Sequence, residues 1–299
     1  MAASRWGRWT RHTVAAGLLG LLGNASALAA NPEPAPAMAP EAAASSPHAE
    51  DTATIRMHRL RHLEARLGVD PAELHAQCRY VSEVATAPPP RHVALTFDDG
   101  PEPVQTEYIL EVLRRHQVQA SFFMIGAQAQ HHPDLVAKVL AEGHHLVGNH
   151  SWDHPNFHDI DGAAQMQQVD KTDAVLAQDM APRLFRYPYG NSSCETNAYL
   201  HQRGYRIVGW HIDSCDWAFD HGGHVDAKEA AICGVLPQYQ SDYVGHVLAS
   251  LRAHNGGIVL MHEIHPNTLK LLDEIIRLAL ADGFVFDTID AAGFAASLR

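Results

Sequence analysis

From Arg91 onward, short apolar runs rich in β-branched and aromatic residues alternate with longer stretches in which apolar positions recur every three or four residues. The short runs predict strands over 92–97, 120–125, 145–148, 184–186, 206–211, 257–262 and 284–287. The periodic stretches predict helices over 104–116, 133–142, 162–177, 195–202, 242–254 and 268–281. Strand and helix in strict alternation imply a parallel sheet covered by crossover helices. Seven such strands suit a distorted (β/α) barrel that closes imperfectly, and the pattern alone leaves an open α/β sheet standing. No internal repeat is present.

The first 90 residues read differently. Met1 to Ala29 carry an arginine-bearing start, the apolar run from Val14 to Gly23, and small residues ending in Ala27-Leu28-Ala29. This is the pattern of a secretory signal peptide cleaved before Ala30, and the run is too short to serve as a stable membrane anchor. Residues 30–51 are dominated by Pro, Ala and Ser and predict an extended linker. Residues 52–90 predict a helical prefix with an apolar face at Ile55, Leu60, Leu63 and Leu67, a stop at Gly68 and a new start at Asp70-Pro71. The run Ala87 to Pro90 then separates the prefix from a main domain over 91–299.

Composition narrows the function. The formal charge is −12, and three of the arginines (Arg5, Arg8 and Arg11) lie in the segment expected to be removed. That balance argues against nucleic acid and anionic membrane surfaces, which are bound through basic patches. The four cysteines (Cys78, Cys194, Cys215 and Cys233) permit two disulfides in three connectivities in an exported protein. A Cys215–Cys233 bridge, stapling one long loop, would contribute about 3 kcal/mol on the chain-entropy model.

In parallel α/β architectures ligands gather at the carboxyl ends of strands. Here those ends read "DDG", "NHSWDH", "RYPYG", "DSCDW" and "MHE". His150 and His154 are four apart, so one helical turn would aim both at a common point, where a carboxylate from another strand end completes a metal site. In a chain with 22 histidines, a lone H-x-x-x-H is more often two exposed side chains. The neighbouring "FDDG" reverses that preference, because two imidazoles and one carboxylate form a facial set that leaves positions open for water and substrate.

The ordered series "TFDDG", "HSWDH", "RYPYG", "DSCDW" and "VLMH", from Thr96 to His262, resembles the five motifs of the NodB-homology polysaccharide deacetylases, carbohydrate esterase family four. The resemblance implies a divalent metal ion, Zn2+ before other divalent transition metals, held by Asp99, His150 and His154. It implies that Asp98 is the catalytic base, fixed by Arg186, and that His262 is the general acid, oriented by Asp216. The backbone N–H of Tyr189 would join the ion in stabilising the oxyanion, and Trp217 and Leu260 would line the acetyl-methyl pocket. As plain structure, Arg186 and Asp216 would be surface salt-bridge partners, and Trp217 and Leu260 core residues.

The implied reaction is hydrolytic removal of acetyl groups from N-acetylated amino sugars of a chitin- or peptidoglycan-like glycan, by a periplasmic or secreted enzyme. The same residues suit O-acetyl esters, as on acetylated xylan. A silent glycan-binding envelope protein would not need every catalytic position filled. A non-haem iron oxygenase, built on the same facial set, would leave Asp98, Arg186, Asp216 and His262 without a role. Between the last two motifs, residues 218–241 depart from the pattern and predict an ordered loop over the site rim, with His221 and His224 facing solvent.

Overall fold

The computed structural model describes residues 78–82, 84–142 and 144–299. The expected signal peptide, the linker and the helical prefix as far as residue 77 lie outside the described residues. Among the described residues no helix is long and apolar enough to cross a membrane.

The sheet is built around β1 (His92–Asp98), which is buried from its second residue to its last. A strand covered on both faces needs apolar residues throughout rather than alternation, which is why "VALTF" precedes the first carboxylate. β1 lies between β2 (Ala120–Met124) and β7 (Gly257–His262), parallel to both, with Asp98 opposite Phe123 on one side and His262 on the other. β3 (Leu146–Asn149) follows β2 with Met124 opposite Asn149, and β4 (Leu184–Phe185) follows β3 with Asn149 opposite Phe185. The strand ends are therefore level, and the residues that come next (Asp99, His150 and Arg186) emerge at one height.

The full order is β5-β4-β3-β2-β1-β7-β6, where β5 is Arg206–Ile207 and β6 is Ile212–Asp213, while β8 (Val285–Phe286) pairs with the start of β1. The two ends of that order are consecutive in the chain. Seven flat strands would span about 29 Å at ~4.8 Å per interval. The residues between Ile207 and Ile212 reach at most about 18 Å. The sheet must curl, and the result is a distorted (β/α) barrel with a gap between β5 and β6.

The expected strand over 206–211 is thus two strands with a crossing between them; seven strands form the path round the barrel, and β8 lies off that path beside β1. Gly209 marks the crossing: a Cβ there would stand 2.6 Å from the Ser82 carbonyl oxygen. Tyr80, Ser82 and Val84 lie along the gap. Trp210 donates its amide to Ser82 and accepts from Val84, and Tyr80 bridges to Asn191.

Helices pack outside this sheet. α1 (Gln105–His116) buries Ile109, Leu110, Val112 and Leu113 and stops at Gln117, which is left-handed at φ 56°. α2 (Gly126–His131), α3 (Pro133–Ala141), α4 (Gly162–Leu176) and α5 (Cys194–Gln202) cover the middle of the chain. α6 (Asp216–Phe219), α7 (Ala227–Cys233) and α8 (Tyr243–His254) precede β7. α9 (Pro266–Ala281) starts with Pro at its first turn and buries Leu272, Ile275, Ile276 and Ala279. Each large aliphatic side chain so buried is worth about 1.5–3 kcal/mol.

The cysteines pair as Cys78–Cys194 and Cys215–Cys233. The second bridge closes residues 215–233, and the segment over 218–241 carries α7 and a capping box at Asp226–Glu229 rather than loop alone. Within it His221 lies 3.5 Å from Glu229 and His224 2.8 Å from Ser241, both on the outside.

Candidate active site

The level strand ends open into a cavity of about 1030 Å3. Eight of the ten residues singled out from the sequence line it: Asp98, Asp99, His150, His154, Tyr189, Trp217, Leu260 and His262. The other two, Arg186 and Asp216, lie fully buried behind it.

β1 ends at Asp98, and Asp99 turns into the left-handed region at φ 76° before Gly100 and a cis Gly100–Pro101 bond. That reversal breaks the side-chain alternation of the strand, so both carboxylates reach the same cavity. Glycine comes next because a Cβ at position 100 would stand 1.9 Å from Glu263 Oε1. The Gly100 carbonyl accepts from Ile125 at the end of β2, which fixes the turn.

The two carboxylates share His150 Nε2, which lies 3.6 Å from Asp98 Oδ2 and 3.5 Å from Asp99 Oδ1, and differ in their other partners. Asp98 Oδ1 accepts from Arg186 Nη1 at 2.7 Å. Arg186 spans the barrel interior: the same Nη1 reaches Thr96 Oγ1, Nε and Nη2 donate to the carbonyls of Val208 and Gly209 in the crossing, and the guanidinium sits 4.2 Å over the Phe123 ring. It therefore ties the barrel gap to β1 as well as holding Asp98. Burial raises the Asp98 carboxyl above its ordinary value, against the pull of Arg186.

Asp99 Oδ1 is buried and makes no hydrogen bond. Around it stand His150 Nε2 at 3.5 Å and His154 Nε2 at 3.4 Å. The Nδ1 of His150 lies 2.8 Å from the Arg186 carbonyl, so it carries the proton and leaves the Nε2 lone pair turned inward. Burial keeps this ring neutral, with its pKa pushed down to about 3. An orphaned carboxylate oxygen flanked by two imidazoles fits a divalent ion. The separations match the edge of a tetrahedron with bonds of about 2.1 Å, which is about 3.4 Å.

The histidine pair does not form through a helical turn. Residues 150–154 are a loop in which Ser151 (φ 68°) and His154 (φ 60°) are left-handed. Side chains within and beyond the motif shape it: Asn149 Oδ1 accepts from the Ser151 amide, Ser151 Oγ from the His154 amide, and Gln168 Oε1 from Trp152 and Asp153. Tyr189, also left-handed at φ 57°, sets its ring edge-on to His154 at 4.7 Å.

Across the cavity, His262 Nδ1 lies 2.8 Å from Asp216 Oδ1. Asp216 also accepts from the His262 amide, the Thr268 hydroxyl and the Trp217 amide, which leaves it no freedom to turn. Burial on its own would lower the His262 pKa. The Asp216 carboxylate outweighs it and raises His262 to about 10. Asp216 itself is held down at about 2, where the His262 charge overcomes burial.

Sequence reading missed Asn149, Gln168, Thr96, Thr268 and Glu263. Glu263 was visible as the last letter of "MHE" but had no role. It is fully buried, accepts from the Thr106 hydroxyl through Oε2, and has no partner at Oε1. Burial pushes its carboxyl up to about 8, with the charges of Asp99, Glu102 and Asp98 adding to the rise. Between the ordinary value of 4.5 and 8 the folded chain holds a proton that the unfolded chain has lost. Stability therefore falls as pH rises through that window, by up to about 1.4 kcal/mol per pH unit. Glu263→Gln stays neutral and is expected to flatten this slope, measured by urea midpoints at pH 5 and pH 8 with chelator present. Equal slopes in the two proteins would mean that Glu263 is ionised in the fold.

A family model for polysaccharide deacetylases matches residues 85–208. A peptidoglycan N-acetylglucosamine deacetylase of Listeria monocytogenes is 35% identical over 70% of this chain, which spans 40% of the length of that relative. A chitooligosaccharide deacetylase of Rhizobium leguminosarum bv. trifolii is 38% identical over 62% of this chain and 80% of its own. The crystal structure of a peptidoglycan N-acetylglucosamine deacetylase aligns with TM-score 0.59 at 27% identity, covering 74% of this chain and 95% of that one. A family 4 carbohydrate esterase from Streptomyces lividans, solved with acetate, aligns with TM-score 0.54 at 28% identity over 69% and 95% of the two chains.

Proposed function

The chain belongs to the polysaccharide deacetylase family, and from that premise we propose that it is a metal-dependent hydrolase removing acetyl groups from N-acetylated amino sugars of a peptidoglycan- or chitooligosaccharide-like glycan. The observation that carries this reading is the split of the adjacent carboxylates. Asp98 is clamped by Arg186, while Asp99 offers a bare oxygen to two imidazoles.

Asp99, His150 and His154 hold the ion, for which Zn2+ is the first choice with N and O donors. When bound, the ion polarises the acetyl carbonyl and brings the pKa of a water towards about 7. Asp98 accepts the proton of the attacking water. Arg186 keeps that carboxylate aimed, through a charge-assisted hydrogen bond. The Tyr189 amide donates to the developing oxyanion, and Trp217 and Leu260 enclose the methyl group. His262, kept protonated by Asp216, delivers a proton to the departing nitrogen.

The raised His262 favours amide over ester as the bond cleaved, because an amine leaves only when protonated whereas an alkoxide needs less help. The domain over 91–299 carries the activity, behind an export signal cleaved near Ala29/Ala30, and acts in the periplasm or outside the cell. Acetate release is expected from peptidoglycan and chitooligosaccharides and to a smaller extent from acetylated xylan, assayed in parallel with ion bound. No release from any of the three would turn the assignment to a glycan-binding protein.

A further inference from the structure

Beside the catalytic acid, one arrangement occurs twice. Asp216 and Asp220 project from the start and end of the α6 turn, four residues apart, while His262 ends β7 and His265 immediately precedes α9. They pair in order. His262 Nδ1 lies 2.8 Å from Asp216 Oδ1, and His265 Nδ1 lies 2.8 Å from Asp220 Oδ2. Asp220 is fixed in turn by the backbone and side-chain amides of Asn267. The two rings stand 5.3 Å apart at 82°, and both line the cavity. The proposed reaction uses only the first.

A carboxylate on Nδ1 is the usual support of a metal-ligating histidine, since it fixes the ring and makes Nε2 the more basic donor once its proton has left. Two imidazoles supported this way share one wall of the cavity, and ligand atoms of Asp216, His262 and His265 lie within 4.8 Å of one another. The oxygens of Asp216 are already engaged by four donors, so Asp216 acts from behind and the imidazoles supply the ligand atoms.

We propose that His262 and His265 form a second divalent-cation site, distinct from Asp99, His150 and His154, and that an imidazole-preferring ion in excess occupies it, displacing the Nε2 proton of His262 to solvent, and so takes His262 out of proton delivery. Zn2+, Cu2+ and Ni2+ suit imidazole; Mg2+ and Ca2+ prefer oxygen. With two protein ligands and no carboxylate, this site fills after the first. Ion uptake is independent of the catalytic reading, whereas the loss of activity rests on His262 being the acid.

Equilibrium dialysis of the full chain against ZnCl2 tests the site. Ions held by scattered surface histidines enter every variant alike, so the difference between proteins is the measure. Wild type is expected to take up one more ion per chain than His265→Ala or His265→Gln, both of which keep the first ion and the activity at one equivalent of Zn2+. Asp220→Asn is expected to weaken the second ion by about 10–100-fold, the usual effect of losing a partner behind a ligand. Excess Zn2+ is expected to inhibit wild type and spare both His265 variants.

Equal uptake by wild type and both His265 variants overturns the site. Loss of the second ion from those variants, with wild-type activity unaffected by excess Zn2+, leaves the site standing and overturns the acid role of His262. Asp99→Asn that keeps the first ion overturns the catalytic metal site and leaves the second intact.

Discussion

Asp98→Asn is expected to lose acetate release by about 10²–10⁴-fold, the range for removal of a general base, while keeping its bound ion. Asp99→Asn is expected to lose the ion itself. The two substitutions make the same chemical change at neighbouring positions, so composition and fold burden are nearly matched. Their environments are not matched. Asp98 Oδ1 is held at 2.7 Å by Arg186, and an asparagine oxygen can still accept that bond, so the variant should fold. Its amide cannot take a proton from water. Asp99 Oδ1 makes no hydrogen bond and faces two imidazole nitrogens, so a neutral amide there removes the carboxylate that both imidazoles face. Metal content by atomic emission after dialysis, paired with acetate release, checks both. Equal metal content in the two variants, or undiminished release by Asp98→Asn, would overturn the division of labour between these carboxylates.

Much of this arrangement is legible in the sequence because the strands are short and their ends are polar. An apolar run such as "VALTF" must be buried on both faces, and the parallel register then brings every strand end to one level. The residues just past each strand end therefore share one space, and motifs far apart in the chain converge. The legible part stops where geometry depends on partners with no local period. Six apolar-rich residues from Arg206 to His211 look like one strand, yet the chain changes sheet edges within them, with Gly209 the sole local sign. The spacing of His150 and His154 fits a helical turn, whereas left-handed residues at Ser151 and His154 bring the two rings together in a loop. Thr268 and Glu263 were missed because their partners, Asp216 and Thr106, lie 52 and 157 residues away in the chain. The Cys78–Cys194 bridge, with a separation of 116, carries no local signal either.

His262→Ala is expected to keep its first ion, since the ring lies outside the Asp99, His150 and His154 group, and to lose amide hydrolysis by about 10²–10⁴-fold. Esters with good leaving groups, such as 4-nitrophenyl acetate, should lose far less, because their leaving group departs without a proton. The pH profile adds a second readout. Burial opposes the charge on His262, but the Asp216 carboxylate prevails and raises the ring to about 10. Activity that needs the imidazolium therefore persists on the alkaline side and falls only as pH approaches that value. Asp216→Asn removes the charge that holds the proton, leaving burial unopposed, so the alkaline limb of kcat should move towards neutral pH. A variant that merely loosened the fold would lower amide and ester turnover together and leave the limb where it was. Equal losses on both substrate classes, with an unmoved alkaline limb in Asp216→Asn, would remove His262 from the role of acid and leave proton delivery to solvent.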